Sequence, residues 1–154
     1  MAETSLICCM SAVVEMCDVV FPRKFTNETR VSCQRYESQV VRPLLQVAKL
    51  REKGTAEVIQ RVANWMCDDG KYDDSQQLCL KAVEIHSQLL GKEVLESLNA
   101  HSDLAAAYWR QGRWAEAAEL EEKGLIVRRK VLGDDHPDTL GTMLNLGATY
   151  KVQR

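Results

Sequence analysis

Apolar residues recur along this chain at the spacing of an α-helix, and the pattern itself repeats. The segment from residue 96 to residue 153 superimposes on itself when it is shifted by 42 residues, which places Leu98 on Leu140. The opposite shift places Gly112 on Gly70. A period of this length, with helical patterning and one turn glycine per unit, is typical of helical solenoids, whose units bury their apolar faces by stacking.

Each unit is predicted to be a pair of antiparallel helices. Leu98, Leu104 and Tyr108 lie at helical steps along one face. Gly112 can end this helix in the left-handed conformation, and Trp114 then opens a second helix that faces the first. The whole chain predicts an all-α fold with helices near 4–19, 28–50, 55–69, 73–90, 95–111, 115–131 and 138–152.

The residues of the best-preserved unit resemble a known family. The string from Leu104 to Trp114, Leu-Ala-Ala-Ala-Tyr-Trp-Arg-Gln-Gly-Arg-Trp, followed by Val131-Leu-Gly-Asp-Asp-His-Pro-Asp-Thr-Leu, resembles the tetratricopeptide repeat of the kinesin-light-chain type. More narrowly, it resembles the repeats that fungal and bacterial NB-ARC or NACHT signalling ATPases carry at their C-terminal ends. The resemblance implies a right-handed superhelix, or α-solenoid, of about seven helices that serves as a peptide-binding and assembly scaffold.

The same resemblance divides the chain into two parts. Residues 1–54 are expected to form a degenerate helical hairpin that packs on the repeats, and residues 55–154 are expected to form the repeats, the last one incomplete. The segment from Phe21 to Val40 is similar to the hairpin that precedes the repeats in those signalling proteins, but Arg30 stands where an aromatic residue is usual. Pro43 should mark a kink or a boundary in this hairpin, since proline removes a backbone donor.

The most apolar run, residues 5–20, is expected to be a buried helix rather than a targeting segment. No basic residue precedes it, Glu15 and Asp18 interrupt it, and it is too short to span a bilayer. It should pack on the next hairpin or meet a second copy or a neighbouring domain. No membrane association is therefore predicted, and the net charge of −2 gives no electrostatic reason to expect nucleic acid.

The sequence offers little chemistry for catalysis. It has no GxxxxGK[ST] phosphate loop, so nucleotide hydrolysis is not expected. The acids around His136, from Asp134 to Asp138, match the ordinary turn between repeats, where acids favour the start of the next helix. No cofactor and no metal are expected, because the cysteines lack ligand spacing and are interpreted as buried, reduced thiols. These are Cys8, Cys9, Cys17, Cys33, Cys67 and Cys79.

The concave face of the stacked hairpins, lined by the first helix of each unit, is where binding is predicted. Asn and Arg side chains there can bind a peptide backbone and carboxylates, and Trp109 offers an aromatic platform. The lysine-rich carboxylate clamp of chaperone-tail-binding tetratricopeptide domains is not reproduced, so that partner is not implied. The groove positions are Gln60, Arg61, Asn64 and Asp68 in the first unit, Asn99, Ser102, Asp103, Ala106, Trp109 and Arg110 in the second, and Leu144, Asn145, Ala148 and Lys151 in the third.

Two functional hypotheses follow from this surface. The first is a noncatalytic, cytoplasmic scaffold that binds a protein or peptide partner. The second is a small-molecule-binding protein or noncanonical enzyme that uses the same groove, for example in fungal secondary metabolism. A buried Asp68, Asp103 or His101 with a shifted pKa inside a closed pocket would favour the second hypothesis, and an open groove would favour the first.

The last predicted helix, residues 138–152, carries more apolar side chains than one packing face needs. Terminal repeats normally present a polar outer face, so a second copy, a partner or the N-terminal helix of another subunit is expected to cover it. Self-association, as a homodimer, is therefore predicted. In a further interpretation the chain is part of a larger signalling receptor, which the end at Arg154 within a unit favours and Met1 disfavours.

Overall fold

The computed structural model describes residues 26–46, 53–89 and 95–154, together with residues 12, 15–17, 20 and 21. Residues 12, 15–17 and 20 have helical backbone, and none of the described residues lies in a strand. The predicted all-α solenoid is therefore confirmed. The three longer ranges contain six helices, α1 Asn27–Gln46, α2 Lys53–Asp68, α3 Tyr72–Leu89, α4 Leu95–Arg110, α5 Trp114–Leu132 and α6 Pro137–Gln153.

The helix bounds agree with the sequence pattern to within two residues wherever the structure describes them. Most of the predicted first helix, residues 4–19, lies outside the described residues, as do residues 47–50 and residue 90. The backbone of α1 continues through Pro43 to Gln46, so this proline does not end the helix.

From α2 onward, each helix packs mainly against the next helix in the chain, which is the arrangement of a solenoid. Additional contacts join α2 to α4, the first helices of neighbouring units. Buried Ile59, Val62 and Met66 of α2 lie on one helical stripe and pack with Leu78 of α3 and Leu104 of α4 in one continuous core.

The described residues of the N-terminal segment belong to the same core. Phe21 is completely buried, and its ring meets the ring of Trp65 edge to face, with centroids 5.2 Å apart. Cys17 is also completely buried, and the thiol of Cys33 donates a hydrogen bond to the carbonyl oxygen of Val20 over 3.1 Å. These contacts hold this part of the chain against α2.

The turn after α4 has the left-handed glycine that the sequence predicts. Gly112 has a φ of 77°, its N–H donates to Trp109 O over 3.0 Å, and the N–H of Arg113 donates to Tyr108 O over 2.9 Å. This pair of bonds is the Schellman motif, which satisfies carbonyl groups that the end of a helix leaves unpaired. The Arg113 guanidinium then lies over the ring of Tyr108, 4.3 Å from its centroid.

Replacing Gly112 with valine should destabilise the protein by about 1–2 kcal/mol. A Cβ at this position would meet no atom within 4 Å, so the cost comes from the left-handed backbone and not from a clash. Chemical denaturation should show the loss. The matched control is Gly112→Asn, which should cost clearly less because asparagine tolerates this conformation, and equal losses for both variants would contradict the explanation.

The acids around His136 form a turn and a helix cap. The ring Nδ1 of His136 accepts a hydrogen bond from the backbone N–H of Asp138 over 3.2 Å, and Pro137 is the first residue of α6. Arg129 forms an ion pair with Asp134 at 2.9 Å. The segment therefore starts α6, as the repeat pattern predicts.

Hydroxyl groups line the inner face of α6. Thr139, Thr142 and Thr149 are buried, at the positions where α4 carries Ser97, Ala100 and Ala107. The Thr149 hydroxyl donates to the Glu121 carboxylate of α5 over 3.0 Å, whereas the Thr139 hydroxyl has no hydrogen-bond partner among the described residues. The interface between α5 and α6 is therefore more polar than the interfaces before it.

Candidate functional site

Three of the predicted groove residues meet where the first helices of neighbouring units lie side by side. The amide of Gln60 on α2 donates a hydrogen bond to the carboxylate of Asp103 on α4. Asn64, one turn further along α2, also hydrogen-bonds to Asp103. The three side chains connect α2 to α4 across the boundary between the units.

A buried arginine from a second helix extends this contact. Arg128 of α5 donates through Nη1 to the hydroxyl of Ser102 over 2.9 Å and to the hydroxyl of Thr142 over 2.6 Å. Its Nη2 donates to the side-chain oxygen of Asn99 over 2.9 Å. Arg128 therefore links α4, α5 and α6. We call the combined set the polar seam, which consists of Gln60, Asn64, Asn99, Ser102, Asp103, Arg128 and Thr142.

Burial governs the ionisation of both charged groups in the polar seam. It raises the pKa of the Asp103 carboxyl above its ordinary value, although hydrogen bonds from Gln60 and Asn64 and the charge of Arg128 act in the opposite direction. It also lowers the pKa of Arg128, against the opposing charges of Asp138 and Asp103. The contacts of Arg128 are to neutral oxygens, so the fold does not give its charge a directly bonded carboxylate within the described residues.

Replacing Asp103 with asparagine should make the protein more stable than wild type at about pH 7 but not at about pH 3. The folded-state pKa of Asp103 is raised, so the stability that its protonated form contributes is present below the ordinary pKa. That contribution is lost as the pH rises through the folded-state pKa. Thermal melts across this range should show the crossover. The control is Asp68→Asn, a substitution of the same kind at an exposed position of α2, and a parallel response of the two variants would contradict the prediction.

Arg128 is the residue that sequence reasoning missed. The repeat pattern predicts that the first helix of each unit lines the groove, and a long cationic side chain on a second helix is ordinarily solvated. A signal was nevertheless present, because Arg128 lies 42 residues after His86 and both side chains are buried. The repeat therefore places a buried basic residue at the same position in successive units.

The remaining predicted groove residues lie outside the polar seam. Trp109 is 37% exposed near the end of α4, Asp68 is exposed at the end of α2, and Arg61 is half-buried. Asn145 and Lys151 are exposed on α6, and within the described part of the chain neither hydrogen-bonds to the polar seam. Ala106, Leu144 and Ala148 are exposed as well.

Arg110 borders a separate cavity of about 620 Å³ at the turn ends of the units. Gln111 crosses this region and donates to Asp73 and to Gln76, both over 2.9 Å. Asp103 does not line the cavity. The small-molecule hypothesis requires a carboxyl or imidazole group with a shifted pKa inside a closed pocket. Asp103 has the shifted pKa, but it does not lie in this cavity, so the requirement is not met. The lining is Gly70, Lys71, Tyr72, Asp73, Asp74, Gln76, Arg110, Gln111 and Arg113.

The described cysteines are poor nucleophiles. Cys33 and Cys79 are buried and Cys67 is half-buried, and burial raises the pKa of each thiol, that of Cys79 to about 12. A thiol rather than a thiolate at neutral pH reacts slowly. Cys8 and Cys9 lie outside the described residues, and within the described ranges no cluster of histidine, cysteine and acidic side chains could hold a metal ion.

Comparison with known proteins finds similarity over part of the chain. Residues 55–125 match the family model of the tetratricopeptide repeat. Proteins named clustered mitochondria protein homolog, from Aspergillus niger and Aspergillus oryzae, are 32% identical over 71 residues, which is 46% of this chain and 6% of each relative. The chain thus corresponds to a small part of the length of these relatives.

Solved structures agree on the architecture. The kinesin light chain with nearly identical TPR-like repeats from Podosopora anserina covers 94% of this chain at 21% identity and a TM-score of 0.72, and the match spans 66% of that structure. BtubC (BKLC) from P. vanneervenii covers 97% at 17% identity and a TM-score of 0.64, over 67% of its own length. At these identities the likeness establishes the fold alone.

The resemblance to tetratricopeptide repeats is therefore confirmed over residues 55–125, and the chain shares the fold of a structure described as kinesin light chain. The narrower resemblance to signalling ATPases stays a prediction. Within residues 26–46, 53–89 and 95–154, no helix combines the length and the apolar character that crossing a membrane requires.

Proposed function

We propose that this chain is a scaffold whose concave groove binds an extended peptide segment of a protein partner. The observation that carries the proposal is the polar seam, in which Arg128 and the pair Gln60–Asp103 hold the facing helices together. A groove floor that is fixed in this way can bind a peptide without first becoming ordered, which lowers the entropic cost of binding.

The exposed groove residues indicate the chemistry of the peptide. Arg110 forms no ion pair within the described residues, and its neighbour Trp109 keeps more than a third of its surface open to solvent. A peptide with a carboxylate for the arginine and an apolar side chain for the indole ring fits this surface.

The buried thiols and the core contacts of Phe21 support two accompanying proposals. Reduced, high-pKa thiols suit a cytoplasmic protein, which is where we place this chain. Phe21 and Cys17 belong to the same core as α2, which supports a helical hairpin in residues 1–54 that packs on repeats in residues 55–154.

A randomised peptide library, displayed on phage and selected against the wild-type chain, would test the groove. We expect enriched peptides to carry an acidic residue close to an apolar one. Their affinity for the Trp109→Ala and Arg110→Ala variants should fall by about tenfold or more, measured by fluorescence anisotropy.

The control variant is Ile126→Ala, because Ile126 is exposed on α5, the second helix of its unit, and lies outside the groove. Affinity for this variant should match wild type. A failure to enrich any sequence, or peptides that bind all three variants as well as wild type, would overturn the proposed function.

A further inference from the structure

One side of the last helix carries exposed apolar and small residues. Leu140 is 46% exposed and Leu144 is 75% exposed, and Gly147 and Ala148 follow them at helical spacing. We call Leu140, Leu144, Gly147 and Ala148 the forward patch, because they point away from the inner threonine face that packs on α5.

The internal repeat places two residues of the forward patch at positions that are buried in α4. Its Leu140 and Gly147 occupy the positions of Leu98 and Ala105 in α4, 42 residues earlier. In α4 these two side chains are 4% and 1% exposed, and α4 packs against both α3 and α5. Among the described residues, nothing covers the same face of α6.

The residue at the centre of the forward patch restricts what can cover it. Leu144 stands where α4 carries Ser102 and α2 carries Gln60, both polar. Ser102 accepts a hydrogen bond from Arg128 of the helix that covers α4. Leucine cannot accept such a hydrogen bond. A helix that packed on α6 as α5 packs on α4 would therefore bury an arginine cation against an apolar side chain. The element that packs on the forward patch therefore presents an apolar residue opposite Leu144.

We propose that the forward patch is a dimer surface, on which α6 of a second copy packs antiparallel about a two-fold axis close to Leu144. In this arrangement the leucine of one copy meets the leucine of the other. Leu140 faces Gly147 and Ala148 of the second copy, and these small residues allow the helices to approach closely.

Charge complementarity supports the antiparallel direction. The exposed Asp135 lies just before α6, whereas the exposed Lys151 lies in its last turn and the exposed Arg154 follows it. An antiparallel pair places the acidic end of each helix beside the basic end of the other, and it also aligns the helix dipoles favourably. A parallel pair would place like charges together at both ends.

Sedimentation velocity of the full chain between about 1 and 100 µM, the usual range of weak dimers, tests this surface. Wild type should shift from monomer to dimer with concentration, and Leu144→Glu should remain monomeric throughout. The matched control is Ile126→Glu, an equal charge at an exposed apolar residue of α5, which should dimerise like wild type. Circular dichroism of all three should show the same helix content. A wild type that is monomeric at the highest concentration would overturn the proposal.

A charge exchange tests the direction of packing. Lys151→Glu should weaken the dimer by about tenfold, because it places like charges beside Asp135 of the second copy, and Asp135→Lys combined with Lys151→Glu should restore it. A double variant that is no tighter than the single variant would overturn the antiparallel arrangement. Dimerisation that survives Leu144→Glu would overturn the forward patch itself.

Discussion

Replacing Phe21 with alanine is expected to lower the free energy of unfolding by about 3–4 kcal/mol. The side chain is completely buried, so the substitution removes its transfer free energy and leaves a cavity beside α2. The edge-to-face contact with Trp65, with centroids 5.2 Å apart, is lost as well, and such pairs contribute about 1 kcal/mol beyond the area that they bury.

Urea denaturation of the full chain measures this loss. The control is Val31→Ala on α1, where the side chain is exposed and the change should stay within about 0.5 kcal/mol. A double-mutant cycle with Trp65→Ala isolates the ring contact, for which we expect a coupling of about 1 kcal/mol. Strict additivity of the two substitutions would show that the rings do not interact.

Replacing Arg128 with alanine is expected to cost about 2–3 kcal/mol. The substitution removes the bonds to Asn99, Ser102 and Thr142 and leaves a cavity between three helices. Relief from burying a cation offsets part of the loss. Arg128→Met should therefore cost less than half as much, since it keeps a long apolar stem and removes the charge.

The helices in which Arg128→Ala increases hydrogen exchange show whether the substitution breaks the local links of the polar seam or lowers the stability of the whole chain. Helices of a solenoid contact mainly their neighbours, so hydrogen exchange should accelerate in α6 and in the first half of α4, which carries Asn99 and Ser102, while α2 and α3 keep their protection. Equal acceleration along the whole chain, or none, would show that Arg128 does not link these helices.

The fold could be predicted from the sequence because it depends on local features, namely turn glycines and apolar stripes. The left-handed turn at Gly112 needs only a residue without a Cβ, and the shift of 42 residues transfers that turn to Gly70, where φ is 85°. The apolar stripe that contains Ile59 and Val62 likewise identifies the buried face of α2 without knowledge of its neighbours.

The polar seam depends on side chains that meet only after stacking. The sequence predicts that Gln60 and Asp103 each face the groove. Their hydrogen bond joins residues 43 positions apart, and the repeat pattern does not predict that pairing. Arg128 is buried because hydroxyl and amide oxygens from two other helices surround its guanidinium.

The threonine face of α6 has a mechanical consequence. Tension applied to the two ends of a solenoid passes through its interfaces in series, so the least stable interface yields first. The contact between α5 and α6 contains a buried Thr139 hydroxyl without a hydrogen-bond partner among the described residues, and it has Thr142 and Thr149 where the earlier repeat has the buried Ala100 and Ala107. Under load the chain therefore lengthens from its C-terminal layer, and a partner held by α6 would be released before the α2–α3 layer gives way.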